Sequence, residues 1–488
     1  MRKLDKLEPN RFFYYFEELT KIPHGSYNVD AISDYLASFG RSRGLETIQD
    51  EYKNVIMIKE ASEGYENEPP IIIQGHMDMV AVHKPELDID MKTEPLKVAV
   101  NEAEDYVYAE GTSLGGDDGF AVATALALLE DESLKHPRLE VVITTNEETG
   151  MEGAFGIDLS MLKGHTLLNL DSEDEGIFLT SCAGGLRINA DFPVNEEPLS
   201  HFEGFTCYEI EIGGLLGGHS GEEIIKGRAN SNKLAARLLK EYSNSVYLTL
   251  LDGGLADNAI PRTTKFNVLI EDETNFEAYL DKFTREVKNE YHTKDPDLFC
   301  KVLSKKPVSE IGDALGSVYN MTEAVKFLYT VPDGVKAMSA DIEGLVETSL
   351  NLGIVKLSSD SASLHATFSV RSSIESAKNH LTNRVCLLAD TYGGKVKITG
   401  RYPGWAYRAD SPLRDKMCAL YEKMYGKKPI LKAIHAGLEC GLFNNKISDL
   451  DCVSIGPDMK DIHTTEEKLY ISSSRRVYEF VRALIESK

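Results

Sequence analysis

The stretch 70–80 reads PIIIQGHMDMV: three isoleucines behind a proline, then Gln-Gly, then a histidine and an aspartate two residues apart. A short apolar run of β-branched residues bounded by polar ones is a buried strand, of the kind found inside a sheet covered on both faces. NVIMIK at 54–59, LEVVITT at 139–145 and TLLNL at 166–170 have the same character. FAVATALALLE at 120–130, rich in alanine and leucine and preceded by Gly119, reads as a helix. Strand, helix, strand with apolar strands predicts an α/β sheet with helices on both faces.

Farther along, the texture changes. From about residue 186 the strands alternate, as in LRINADF and CYEIEIGG, and a helix over 232–242 follows a Gly-rich turn. That pattern suits a smaller α+β domain with a half-exposed antiparallel sheet. Beyond Tyr402 the first texture returns, with a helix over 413–425, the strand CVSIGP and a closing helix over 476–486. At 488 residues the chain is too long for one ordinary core. The expectation is two domains: a discontinuous α/β domain of 1–186 and 400–488, and an inserted α+β domain of 187–399. Trp405, the single tryptophan, is expected to pack where the chain re-enters the outer domain.

The chain is 42% hydrophobic and 27% charged, as a globular protein is, with a net charge of -25 from 78 acidic and 53 basic residues. So negative a surface repels phosphate backbones and anionic lipids, which argues against nucleic-acid and membrane partners. FAVATALALL at 120–129 falls well short of the ~18 apolar residues that cross a bilayer, and the charged N-terminus lacks the apolar core of a signal peptide. Seven cysteines, an odd number without a CxxC pair, read as reduced thiols of a cytoplasmic protein.

The acidic and histidine residues fall at the ends of the apolar strands. His76 and Asp78 follow the isoleucines, Glu147 and Glu148 follow LEVVITT, Asp171 follows TLLNL, and Asp117 and Asp118 stand just before the alanine-rich helix. In an open α/β sheet the carboxyl ends of the strands form the ligand crevice. A lone Asp or His after a strand is usually a cap or turn residue. The pairs Asp117-Asp118 and Glu147-Glu148 ask for more, because clustered anions need a cation to offset their repulsion and desolvation. The Gly-rich turn before the helix equally suits an anion.

QGHMDMV at 74–80, GTSLGGDDG at 111–119, TNEETGMEGA at 145–154, LNLDSE at 168–173 and DIHTTEEK at 461–468 occur in the order found in the M20 metallopeptidases. The chain resembles that family from end to end, and within it the bacterial aminoacyl-histidine (Xaa-His) dipeptidases. The resemblance implies a catalytic domain carrying two divalent metal ions and an inserted lid and dimerisation domain. It implies His76 and Asp171 as ligands of one metal, Glu148 and His463 of the other, and Asp117 as the bridge. Asp78 matches the acid that orients the histidine ligand, and Glu147 the general base. Where the family often has Asn, this chain has Asp118, which adds negative charge beside the bridge. His219 in GGHSG resembles the lid histidine that reaches the developing oxyanion, commonly across a dimer interface, and Asn258, Arg371 and Gly437 resemble substrate-binding positions. His435 is left outside this set. The other histidines sit in no comparable cluster and read as surface or packing residues.

A ligand set of imidazole and carboxylate without thiolate suits zinc, with manganese or cobalt as alternatives. The implied activity is hydrolysis of Xaa-His and other unblocked dipeptides by a cytoplasmic homodimer. An aminotripeptidase or an N-acyl amino acid hydrolase is the neighbouring alternative. A non-catalytic binding protein of the same fold predicts damage in the ligand set, and none is present.

Overall fold

The computed structural model describes residues 2–358 and 361–488. The chain clusters into two compact units, one running to Ser181 and resuming over Trp405–Ala433 and Leu438–Lys488, the other comprising Cys182–Gly404 and Ile434–Gly437. The second unit is wider than the 187–399 segment marked out by sequence texture. Its sheet takes in the whole of the strands Gly184–Pro193 and Lys395–Tyr402, which pair antiparallel with one another, with a register shift between Thr399 and Tyr402.

The first unit is built on an eight-stranded mixed sheet. In spatial order its strands are Glu46–Gln49, Val55–Lys59, Leu139–Thr144, Ile71–His76, Thr166–Asn169, Asp451–Ser454, Ile177–Cys182 and Ile430–Ile434. The four from Leu139–Thr144 to Asp451–Ser454 run parallel, with His76 opposite Thr144 and Gln74 opposite Asn169. Every residue of Ile71–His76 and Leu139–Thr144 is buried, as their unbroken apolar runs require. Parallel pairing in this register brings the carboxyl ends of adjacent strands to one edge.

Helix Gly116–Glu130 is apolar on every side and buried to Leu129, which fits a helix enclosed by other elements. Its Phe120 ring lies 5.3 Å from that of Phe12 on helix Asn10–Leu19, and Phe12 in turn lies 6.1 Å from Tyr478 on the closing helix Ile471–Glu486. The two ends of the chain thus share one core. A four-stranded sheet of Met459–Lys460, Lys468–Tyr470, Tyr106–Ala109 and Val98–Val100 completes the unit, and the turn between its first two strands carries His463. Trp405 is buried where the unit resumes, its carbonyl accepting from Ser181 Oγ at 2.8 Å.

The second unit holds an eleven-stranded sheet whose ladders are antiparallel, including Val346–Ser358 with Ser363–Ser372 and the latter with Gly184–Pro193. Gly184–Pro193 alternates buried and exposed positions along its outer half, the mark of a sheet covered on one face. Tyr208, Phe266, Phe276 and Phe368 lie in its own core, and Asn230 caps helix Ser231–Tyr242 by accepting from the main-chain N–H groups of Asn232 and Lys233. No helix among the described residues is long and apolar enough to cross a membrane.

Candidate metal centre

Three parallel strands and one hairpin turn of the first unit deliver the acidic and imidazole groups. His76 is the last residue of its strand, Glu147 and Glu148 open a single helical turn just past Leu139–Thr144, and Asp171 lies two residues past Thr166–Asn169. Asp117 and Asp118 have non-helical backbone angles at the start of the buried helix, so the chain bends there before the helix runs true.

His76 Nδ1 donates to the main-chain carbonyl of Asp78 at 2.9 Å, which leaves Nε2 as the free face of the ring. That nitrogen stands 3.0 Å from Asp117 Oδ1 and 3.7 Å from Asp171 Oδ1. His463 Nε2 stands 3.1 Å from Asp117 Oδ2 and 2.9 Å from Glu148 Oε1. The two oxygens of Asp117 therefore face two different imidazoles, each of which also faces a second carboxylate. Asp78 meets His76 chiefly through its carbonyl. Its carboxylate, 3.6 Å from Nδ1, accepts instead from Ser26 Oγ at 2.8 Å and from the Glu147 N–H at 3.0 Å, linking His76 to the Glu147 turn.

Burial and like charge dominate the electrostatics. Burial opposes protonation of His76, yet its contacts with Asp117, Asp171 and Asp78 carry its pKa well above the ordinary value. His463 is pushed up to about 10 by Asp117 and Glu148. Burial raises the carboxyl pKa values of Glu147, Glu148 and Asp171, with neighbouring carboxylates adding to it. Asp117 is held low, burial being outweighed by His463 and His76, and Asp78 is lowered too, burial being outweighed by His76, Ser26 and the Glu147 N–H. Asp78, Asp117, Asp118 and Asp171 are buried and Glu147 and Glu148 half-buried around two imidazoles, without lysine or arginine among the close partners, so the cluster is short of positive charge that a bound cation would supply.

Two overlapping groups have ligand atoms within 4.8 Å of one another: His76 with Asp117 and Glu148, and His76 with Asp118 and Asp171. The donors are hard oxygens and imidazole nitrogens, a set that fits divalent ions of the zinc, manganese and cobalt type. The second group takes in Asp118, which the sequence marks as added negative charge beside the bridge. It is buried, accepts from the His76 and Ala121 N–H groups, and has its carboxyl pKa pushed well above the usual range by burial and Asp171. Gly75 makes room for it, since a Cβ there would collide with Asp118 Oδ2.

The remaining sequence candidates lie in the second unit. His219 pairs opposite Ala259 in a short ladder beside Asn258, whose carbonyl accepts from the Ser220 N–H at 2.8 Å. Arg371 is buried on Ser363–Ser372, its Nη1 donating to Tyr402 Oη at 3.3 Å while its Nε has no partner. Gly437 closes the short segment Ile434–Gly437, which also carries His435.

Several residues escaped the sequence reading. Glu439, at the start of helix Glu439–Lys446, is fully buried and accepts from Gln74 Nε2 and Thr144 Oγ1, while Asn169 Nδ2 donates to Gln74 Oε1. This network ties together the three strands that carry His76, Asp171 and the Glu147 turn. Burial pushes the Glu439 carboxyl up to about 8. Its partners are as many as 365 residues away in sequence, so no local spacing announces it. Glu467 is likewise buried against the loop before Asp117.

Residues 72–487 match the model of peptidase family M20/M25/M40. The chain belongs to that family and is a peptide hydrolase. It is 33% identical over 489 residues to the cytosol non-specific dipeptidase of Escherichia coli (strain K12), an alignment that covers 99% of each chain. Its fold superposes on the crystal structure of aminoacylhistidine dipeptidase from Vibrio alginolyticus with a TM-score of 0.91 and 32% identity, over 99% of this chain and 98% of that one. Aminopeptidase PepT from Bacillus cereus shares the fold at a TM-score of 0.57 and 14% identity, over 98% of each chain.

Proposed function

We propose that this protein is a cytoplasmic, homodimeric two-metal dipeptidase that hydrolyses Xaa-His and other unblocked dipeptides. The observation that carries the reading is the placement of Asp117, whose two oxygens address His76 and His463 separately. A carboxylate so shared suits a bridge between two cations, with Asp171 beside His76 and Glu148 beside His463 as the outer ligands. The substrate class is supported by the relatives of like length, one a non-specific dipeptidase and the other an aminoacylhistidine dipeptidase.

Zinc, or manganese or cobalt in its place, would supply Lewis acidity at the scissile carbonyl and lower the pKa of water toward ~7. The rest of the chemistry falls to the chain's own side chains. Glu147, whose carboxylate has no hydrogen bond or ion pair among the described residues, takes the proton of the attacking water and passes it to the leaving amine. Asp78 holds the Glu147 turn by its N–H and the His76 ring by its carbonyl, so base and ligand keep a fixed separation. His219 serves the developing oxyanion. Arg371 takes the substrate's carboxylate, with Asn258 and Gly437 completing the binding groups.

Glu147→Ala tests the mechanism. Metal content stays at the wild-type level while kcat falls roughly 10²–10⁴-fold, the usual share of a general base. Wild-type turnover in that variant removes Glu147 from the role. A panel of β-alanyl-histidine, α-dipeptides, tripeptides and N-acetylated amino acids tests the substrate class. Activity on the acetylated compounds with none on any dipeptide rejects the dipeptidase reading.

A further inference from the structure

Glu467 is 3% exposed and has no ion pair among the described residues. Its carboxylate instead meets three consecutive main-chain N–H groups: Oε2 accepts from Leu114 at 2.7 Å and Gly115 at 3.1 Å, and Oε1 from Gly116 at 2.8 Å. Successive N–H groups turned to one side form a concave anion cradle, and here the chain fills it with its own side chain, from 351 to 353 residues away. Burying a carboxylate without a counter-cation is costly unless its lone pairs are met by donors. Burial indeed raises its carboxyl pKa against the pull of the three amides.

The cradle matters because of its neighbour in the chain. Asp117 is the next residue after Gly116, and its non-helical backbone puts its carboxylate between His76 and His463. At the other end of the contact, Glu467 closes the turn that carries His463, just before the strand Lys468–Tyr470 pairs back onto Met459–Lys460. That turn contains two non-glycine residues in the left-handed region, Asp461 at φ 55° and His463 itself at φ 62°, conformations that persist only when the surroundings hold them. Two contacts thus join the same two segments: Glu467 to the cradle, and His463 Nε2 to Asp117 Oδ2 at 3.1 Å.

We infer that Glu467 is a positioning residue of the metal centre, setting the place of the Asp117 carboxylate relative to His463 through the amides of Leu114, Gly115 and Gly116. The inference rests on the reading of Asp117 and His463 as metal ligands. Glutamine at this position keeps the shape and one acceptor oxygen but loses the charge and the second acceptor, so the cradle relaxes while the core stays filled. A displacement on the order of 1 Å at a reacting group is enough for about a 10²-fold loss in rate.

The test is calorimetric zinc titration of the metal-free full-length protein, with hydrogen exchange followed over residues 111–119 and thermal melting as the check on folding. For Glu467→Gln the expected result is metal affinity weakened about 10–100-fold, the range for residues that orient ligands. Faster exchange over 111–119 accompanies it, and kcat falls while KM is unchanged. Gly116→Ala is the second variant, should Glu467→Gln melt early. Its Cβ would stand 3.2 Å from Glu467 Oε1 and press on the carboxylate without removing it, and it is expected to weaken metal binding several-fold. Asp117→Ala serves as the control. If it binds zinc as wild type does, the metal-centre reading fails and the inference with it. If Asp117→Ala loses zinc while both other variants keep wild-type affinity, exchange and kcat, the positioning role alone is overturned, whatever their melting temperatures.

Discussion

Each unit buries a polar cluster, and the two are opposite in charge. In the first, carboxylates outnumber imidazoles and press on one another, so that acids are pushed up and both histidines are held protonated unless a cation replaces the protons. In the second, Arg371 is 8% exposed, with its Nε unpartnered and no carboxylate paired with it among the described residues. Burial, then Arg371, lowers the pKa of His219 and pushes that of His435 down to about 3. His435 Nε2 lies 2.7 Å from Ser349 Oγ, and Ser349 stands directly opposite Arg371 in the antiparallel ladder. One cluster lacks positive charge and calls for cations; the other lacks negative charge and calls for an anion such as a peptide carboxylate. Buried charge left uncompensated by the chain itself is the common sign of a ligand in both.

Within this contrast of the two clusters, the largest expected effect comes from removing the positive pole. Arg371→Ala loses a charge-assisted hydrogen-bonding group worth about 1.5–3 kcal/mol, so KM for a dipeptide rises roughly 10–150-fold with kcat little changed. An unchanged KM would separate the second cluster from substrate carboxylate altogether.

A smaller effect probes the acidic cluster without touching a ligand. With a folded pKa of about 8 against an ordinary value of 4.5, the metal-free folded protein keeps a proton on Glu439 that the unfolded chain has released. Stability therefore falls as pH rises through that window, by about 1 kcal/mol between pH 7 and pH 8. Glu439→Gln, which cannot ionise, is expected to flatten this limb in urea or thermal unfolding of the metal-free protein. A wild-type slope in the variant would show that the carboxyl titrates elsewhere.

The smallest effect is the mirror of this one. His435 stays neutral in the folded protein down to about pH 3, while the unfolded chain takes up a proton below the ordinary value of 6.5. The folded state therefore loses stability as pH falls through that window, by about 0.8 kcal/mol at pH 6 relative to high pH. His435→Gln is expected to lessen the acid limb by that amount while leaving the alkaline one as it is. If instead the alkaline limb changes, the two clusters are coupled and the contrast between them dissolves.

The amino-acid sequence by itself determined the buried strands, the apolar helix over 120–130 and the appearance of His76, Glu147, Glu148 and Asp171 at strand ends, because hydrophobic periodicity and strand-end position are local properties. The order of five short motifs added His463 to the candidate set and gave Asp117 its expected role as the bridge. What the sequence left open was which of several similar residues face inward. Glu466 and Glu467 are neighbours in one motif, yet Glu466 reaches Lys84 at the surface while Glu467 is buried on the loop before Asp117. Asp118, read only as extra charge, turns its carboxylate to the His76 N–H, and Glu439 had no motif to announce it. Those roles were decided by tertiary structure alone. A buried carboxylate is satisfied by donors wherever the fold brings them, here from 42 to 365 residues away, and no spacing along the chain encodes so distant a partner.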